Sequence, residues 1–324
     1  MDVSIVIPSY KSVDYIYRAV KSCVDEAVPT ENIIVVEDGV FDDTGKVLSE
    51  FPNIHHIALP QNRGGGHARN VGLHVVKTTY VLFLDSDDFL YGGLVKGLLV
   101  NACKKKSDIT YGPWRYEGEG VKDNSILYPV EKSNILWMRN WLKGEFFPPC
   151  SILWKKDFLY KIGGWNEALK ANQDGELAFR ALSKEPSIAI SHAGCGVYWR
   201  HDAEHRVSRS PKRYRVLAND VIYNVIDGYI SCKSSSDILE LKSSLGVFCC
   251  ANAWTAYAEV DDDYARQWLK RAKKYGYEDA GYSRATNVIG TLLGVRRGAK
   301  FRSSLTNVGF ISHVARFVSG RLNF

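Results

Sequence analysis

The sequence has little with which to staple itself. Its seven cysteines, Cys23, Cys103, Cys150, Cys195, Cys232, Cys249 and Cys250, are odd in number, scattered and without CxxC spacing. That argues against a disulfide scaffold and fits a reducing cytoplasm. No run approaches the roughly 20 apolar residues that span a bilayer, and the opening MDVSIVIPSY has no basic segment leading into an apolar core. A secretory leader and a transmembrane anchor are therefore not expected. Internal repeats and low-complexity segments are also missing. What is present is core material: 45% of the 324 residues are apolar and 12% aromatic, enough for one large domain, or one domain with a smaller appendage.

The net charge of +6 is unevenly spread. Residues 1–202 carry 23 Lys and Arg against 25 Asp and Glu, whereas residues 203–324 carry 19 against 11. After Asp279 there are seven basic residues and no acid: Arg284, Arg296, Arg297, Lys300, Arg302, Arg316 and Arg321. Within this tail Phe310, Ile311, Val314, Phe317 and Val318 recur at three- and four-residue steps, with His313 and Arg316 beside them. A helix there has one apolar stripe flanked by positive charge, suited to an anionic membrane surface. Packing against protein is the alternative. The tail lacks the interleaved aromatics of a nucleic-acid platform, so nucleic acid is not an expected partner.

Apolar runs alternate with helix-period segments over the first ninety residues. Val3 to Ile7 ends at Pro8, Ile33 to Val36 at Glu37-Asp38-Gly39, a third run spans Ile54 to Leu59, and Tyr80 to Leu84 stops at Asp85. Between them, Ser12 is placed to cap a helix whose face is Ile16, Ala19, Val20, Cys23 and Val24, and Ala68 to Val76 follows three glycines. Strands alternating with helices read as βαβ units, hence a mostly parallel sheet covered on both faces. Further helices are expected over Asp174 to Leu182, Val216 to Ile230, Ile238 to Glu259 and Tyr264 to Tyr275. The change in composition places a domain boundary near residue 210, giving a catalytic domain over 1–210 and a mostly helical region over 211–324.

Ligands of such sheets bind beyond the carboxyl ends of the strands. Asp38 and the group Asp85, Asp87 and Asp88 both lie there, so two acidic clusters distant in sequence should meet in one crevice. Carboxylates two residues apart after a buried strand suit Mg²⁺ or Mn²⁺, with phosphate oxygens completing the shell. Gly64-Gly65-Gly66 before Arg69 could expose backbone N–H groups to an anion, or be a plain turn.

The segments IVIPSYK, IIVVEDGVFDDT, NRGGGHARNVGL, FLDSDD, GGWNE and NQDGELAFRAL, in this order and spacing, resemble glycosyltransferase family 2 over about residues 1–210. The resemblance implies a GT-A fold (Rossmann-like, with a helical C-terminal extension here) and inverting sugar transfer from a nucleotide sugar, a UDP-sugar first among donors. It implies donor contacts from Pro8, Tyr10, Glu37, Asp38, Arg69, Asp85 and Ser86. A Mn²⁺ or Mg²⁺ ion falls to Asp87, with His201 as a second ligand. Asp174 matches the general base of the family's acidic pair, in which Gln173 replaces the glutamate, and Glu176 is a rival carboxylate. Trp165, Glu176 and Arg200 are the acceptor-side residues. The partners expected are the nucleotide-sugar donor, a saccharide acceptor that could be lipid-linked, the anionic membrane surface and a second copy of the chain. This places the protein in the cytoplasm or on the cytoplasmic face of the membrane, in the assembly of bacterial surface polysaccharide. A catalytically silent scaffold, favoured by Gln173, is one alternative. A nucleotidyltransferase is a weaker one, because no basic Gly-rich loop follows the first strand.

Overall fold

The computed structural model describes residues 1–39, 42–201, 211–234, 237–277 and 294–300. These form two compact units. One holds the described residues up to Lys132 and from Phe146 to His201; the other holds Ser133–Glu145 and the described residues from 211 onward.

The first unit runs β1 (Val3–Ser9), α1 (Val13–Asp25), β2 (Ile33–Glu37), α2 (Thr44–Leu48), β3 (His55–Ala58), α3 (Gly65–Val75), β4 (Tyr80–Phe83), β5 (Phe89–Tyr91), α4 (Leu94–Lys105), β6 (Ile109–Tyr111) and β7 (Trp114–Gly118). The chain then lends α5 (Asn134–Leu142) to the second unit and returns through β8 (Ile152–Lys155), α6 (Lys156–Lys161), α7 (Gln173–Leu182), β9 (Ile188–Ile190) and β10 (Cys195–Arg200). Seven strands make one sheet in the order β3-β2-β1-β4-β8-β6-β9, parallel throughout except for β8, which runs opposite to both β4 and β6. A small second sheet has the order β5-β10-β7.

The unbroken apolar runs follow from burial of both faces. Ile5, Ile7, Ile33, Val35 and Leu82 join Ile16, Ala19 and Val20 of α1 and Leu94, Val95 and Leu98 of α4 in one core. Val6 and Val36, with opposite parity, meet α3, where a Cβ on Gly72 would lie 2.3 Å from Val6 Cγ1. Only glycine allows that helix so near the sheet. Ser12 begins α1 but does not cap it with its side chain. Its hydroxyl bonds Ser9 Oγ at 2.6 Å instead, and its carbonyl starts the helix by accepting from the amides of Tyr15 and Ile16.

The second unit packs α5, α8 (Lys212–Ser231) and α10 (Asp262–Lys274) around α9 (Asp237–Glu259). Polar side chains fix its register: Asn219 Nδ2 donates to Asn252 Oδ1 at 2.8 Å, and Arg271 pairs with Asp220 while lying against Tyr223 and Trp268. Among the described residues no helix is long and apolar enough to cross a membrane. The stripe from Phe310 to Val318 lies outside the described residues.

Candidate active site

The loops after β1, β2 and β4 open at one edge of the sheet, and each site residue is placed by its strand end. Pro8 is half-buried and Tyr10 is exposed, with Lys11 Nζ 5.4 Å from its ring centre. Glu37 is buried and meets His56 Nε2 at 2.9 Å. Asp38 is also buried; its two oxygens accept from the backbone amides of Arg63 (2.9 Å) and Gly64 (2.8 Å). Asp38 thus ties the β2 end to the Gly-rich turn. The approach is so close that a Cβ on Gly39, which has φ +69°, would lie 2.0 Å from the Asn62 nitrogen.

The Gly-rich turn leads directly into α3, whose first residue is Gly65, earlier than periodicity alone suggests. One turn in, Arg69 donates to Asp85 Oδ1 at 2.5 Å and to Gln173 Oε1 at 3.2 Å, and its guanidinium lies 4.5 Å from the Trp165 ring centre. Arg69 therefore joins the acidic loop after β4 to the start of α7. At that start Asp174 is half-buried, and its carboxyl is held above the ordinary Asp range. Burial is the main cause and the charge of Asp85 adds to it, against the Gly175 amide and Arg69. Gln173 donates to Leu169 O at 2.6 Å, so it is anchored at both ends of its amide.

The acidic loop is gripped from several sides. Asp88 is buried and accepts from the Trp199 amide at 2.9 Å. Asp87 Oδ2 lies 2.8 Å from His201 Nε2, while His201 Nδ1 lies 3.1 Å from the Tyr15 hydroxyl. Arg18 donates to the Asp87 carbonyl at 2.7 Å and stacks on Phe89 and Trp199. Burial pulls its guanidinium below the usual value, against Asp88, Asp87 and Glu117, yet it stays charged. Ser86 is half-buried in this loop. Cys150 lies near it; burial, with Asp88 and Asp85 adding, keeps the thiol protonated. Among the described residues no three His, Cys, Asp or Glu side chains converge as a metal site.

Two acceptor-side expectations change. Glu176 is fully buried, with both oxygens engaged by Arg180 at 2.7 and 2.9 Å, and Arg180 in turn donates to the carbonyls of Ile162 and Gly164. Buried and paired with Arg180, it clamps the GGWNE turn through that guanidinium. Trp165 is 3% exposed, edge-on to Phe83 at 5.1 Å and under Arg69, so its faces are not free for a sugar. Arg200 is exposed at the end of β10, its guanidinium 4.1 Å from the Tyr116 ring centre. The turn's Glu167 bonds Asn70 and His67 of α3 at 2.8 Å each, which overcome burial to hold its carboxyl below the usual range. Tyr15, Arg18 and Arg180 were not singled out from sequence. The one available signal for the first two was their three-residue spacing on α1.

The family described as Glycosyl transferase family 2 matches residues 4–162. The chain is 34% identical over 257 residues to the poly(ribitol-phosphate) beta-glucosyltransferase of Bacillus spizizenii, covering 75% of this chain and 38% of that one. It spans about a third of the length of several curated relatives it matches. S. aureus TarS 1-349, solved with UDP-GlcNAc, superposes with a TM-score of 0.67 at 17% identity over 94% of this chain and 92% of that one. The mannosyltransferase PcManGT of Pyrobaculum calidifontis, solved with GDP-Man and Mn²⁺, gives 0.55 at 14% over 95% and 87%. At such identities the structural likeness is one of fold. Residues 4–162 thus form the part of the chain that matches glycosyltransferase family 2, and the strand order, with the acidic loops at the strand ends, is that of the GT-A fold.

Proposed function

We propose that the protein is an inverting glycosyltransferase that moves a sugar from a UDP-sugar to a hydroxyl of a saccharide or polyol acceptor in a bacterial surface polymer. The observation that carries this reading is Asp174: a half-buried carboxylate at the first turn of α7, with its proton affinity raised, sharing Arg69 with the loop of Asp85. A base so tuned takes a hydroxyl proton more readily than an ordinary aspartate. In the step, an Asp174 oxygen accepts the acceptor's proton as the acceptor oxygen bonds the anomeric carbon, and the bond from that carbon to the diphosphate breaks, its electron pair leaving with the diphosphate. Attack from the face opposite the leaving group inverts the centre, through an oxocarbenium-like transition state.

Asp38 keeps two of its roughly four acceptor positions beyond those that hold the Gly-rich turn, enough to meet a pyrimidine N–H. Asp85, held by Arg69, takes the donor's ribose in this reading. Asp87 and His201 supply one oxygen and one nitrogen side by side, a donor pair that suits Mn²⁺ and also admits Mg²⁺ when phosphate oxygens complete the shell. Such an ion neutralises the leaving diphosphate. The UDP-GlcNAc of TarS and the Mn²⁺ of PcManGT support these choices, and the poly(ribitol-phosphate) acceptor in the name of the Bacillus relative supports a cell-wall polymer. Against a silent scaffold, Gln173 is anchored without the missing carboxylate, so the helix start that presents Asp174 is intact. The domain limits 1–210 and 211–324 belong to this reading, with 133–145 allotted to the helical part. By charge and stripe alone, the tail after Asp279 supports contact with an anionic membrane surface and a lipid-linked acceptor, which vesicle co-sedimentation would check.

The test is a panel of UDP- and GDP-sugars scored for thermal stabilisation and Mn²⁺-dependent hydrolysis. Stabilisation and hydrolysis with one UDP-sugar is the expected result. Neither effect with any nucleotide sugar would remove the reading.

A further inference from the structure

Helix α1 is outside the strand-end loops, yet two of its side chains close on the acidic loop. Tyr15 and Arg18 are three residues apart and so share a helix face. We propose that α1 is the positioning element of the cation site: Tyr15 sets which ring nitrogen His201 offers, and Arg18 fixes the backbone of Asp87. This rests on the reading of Asp87 and His201 as ligands of a divalent ion.

A neutral imidazole carries one N–H. Nε2 lies 2.8 Å from the Asp87 carboxylate, which only accepts, and Nδ1 lies 3.1 Å from the Tyr15 hydroxyl, so a neutral ring that donates through Nε2 accepts at Nδ1. For Nε2 to hold a cation its lone pair must be free, so the proton must move to Nδ1, where the Tyr15 oxygen accepts it. A phenol serves in both senses and a phenyl ring in neither. The Tyr15 ring also packs on the imidazole, with ring centres 4.4 Å apart and planes tilted by 35°. Outer partners of this kind orient a ligating histidine and tune its basicity.

Arg18 acts on the other ligand. Its guanidinium lies 4.6 Å from the ring centre of Phe89 and 4.2 Å from that of Trp199, and it donates to the Asp87 carbonyl at 2.7 Å. Phe89 comes two residues after Asp87 and Trp199 two before His201, so one planar cation holds both segments that carry the ligands. A lysine has the charge but neither the plane nor the fork.

The experiment titrates Mn²⁺ into the intact protein, with and without UDP, reading free Mn²⁺ by electron paramagnetic resonance alongside a thermal melt. Wild type should take up Mn²⁺ more tightly with UDP. Tyr15→Phe should weaken uptake by roughly tenfold or more with the melt little changed, and His201→Ala should weaken it similarly. The double variant should lose no more than His201→Ala alone, because Tyr15 acts through His201. Arg18→Lys should also weaken uptake, and Arg18→Met at least as much. Wild type that takes up no Mn²⁺ overturns the metal reading and the brace with it. Wild-type uptake with Tyr15→Phe unchanged, or with losses that add in the double variant, overturns the brace alone.

Discussion

Asp174 in the first unit and Asp227 in the second are both aspartates on helices, yet their surroundings shift them in opposite directions. Around Asp174 burial leads, and the charge of Asp85 raises the carboxyl further. Around Asp227 burial also pushes upward, but Lys274 and the hydroxyls of Tyr275 and Tyr223 all donate to the same oxygen and bring the carboxyl below its usual range. The second arrangement strengthens a fold. The first leaves a proton acceptor under-satisfied, which is what chemistry requires and stability does not. Glu176, two residues from Asp174, belongs with Asp227 in this respect, since Arg180 satisfies both of its oxygens.

The comparison breaks first if Asp174 is not the base. Asp174→Asn should lower turnover by roughly 10² to 10⁴ with donor affinity nearly kept, measured by single-turnover kinetics beside donor titration. In the wild type the acid limb of kcat/KM should lie above the ordinary aspartate value, because activity falls as pH drops through a raised pKa.

Glu176→Gln should do the reverse. Removing one charge of a buried pair costs about 3–5 kcal/mol, so denaturant unfolding should shift strongly, while turnover per folded molecule stays near wild type. If turnover collapses without a stability loss, the roles assigned on α7 are exchanged.

A smaller loss is expected for Asp227→Asn, on the order of 1–2 kcal/mol from weakened charged hydrogen bonds. Because the folded-state pKa is lowered, this contribution is present above the unfolded value near 3.9 and fades as pH falls through the folded one. Chemical denaturation at pH 7 and at successively lower pH should show the gap between variant and wild type closing.

The smallest effect has the opposite sign. A raised carboxyl destabilises the fold at neutral pH and ceases to do so below its unfolded pKa. Asp174→Asn should therefore raise the melting temperature slightly at pH 7, with no gain in strong acid. A loss at pH 7 would put Asp174 with Asp227 and Glu176.

Much of this site was legible in the sequence because it lies where apolar strands end. Ile33 to Val36 and Tyr80 to Leu84 end in acidic residues, and Glu37, Asp38 and Asp85 therefore fall at the carboxyl ends of parallel strands, where ligands of such sheets bind. Helix faces were legible for the same reason of periodicity. What could not be read is what a side chain meets across the fold. Trp165 shows no sign in sequence of lying beneath Arg69, nor Glu176 of facing Arg180's turn, nor Asp38 of holding amides 25 residues away. The reversal of β8 is hidden likewise, since Ile152 to Trp154 is as apolar as its parallel neighbours.

Helix α5 has a consequence for biosynthesis. Its Trp137 and Met138 are fully buried, and the partner it packs on, α9, comes nearly a hundred residues later. At ribosomal rates of about 5–20 residues per second, this greasy segment waits roughly 5 to 20 s for its cover while the strands on either side of it are already free to pair. The interval is a window for chaperone capture. It also means that cutting the chain at residue 210 would leave the first unit joined to a tryptophan-containing helix whose packing partner had been removed.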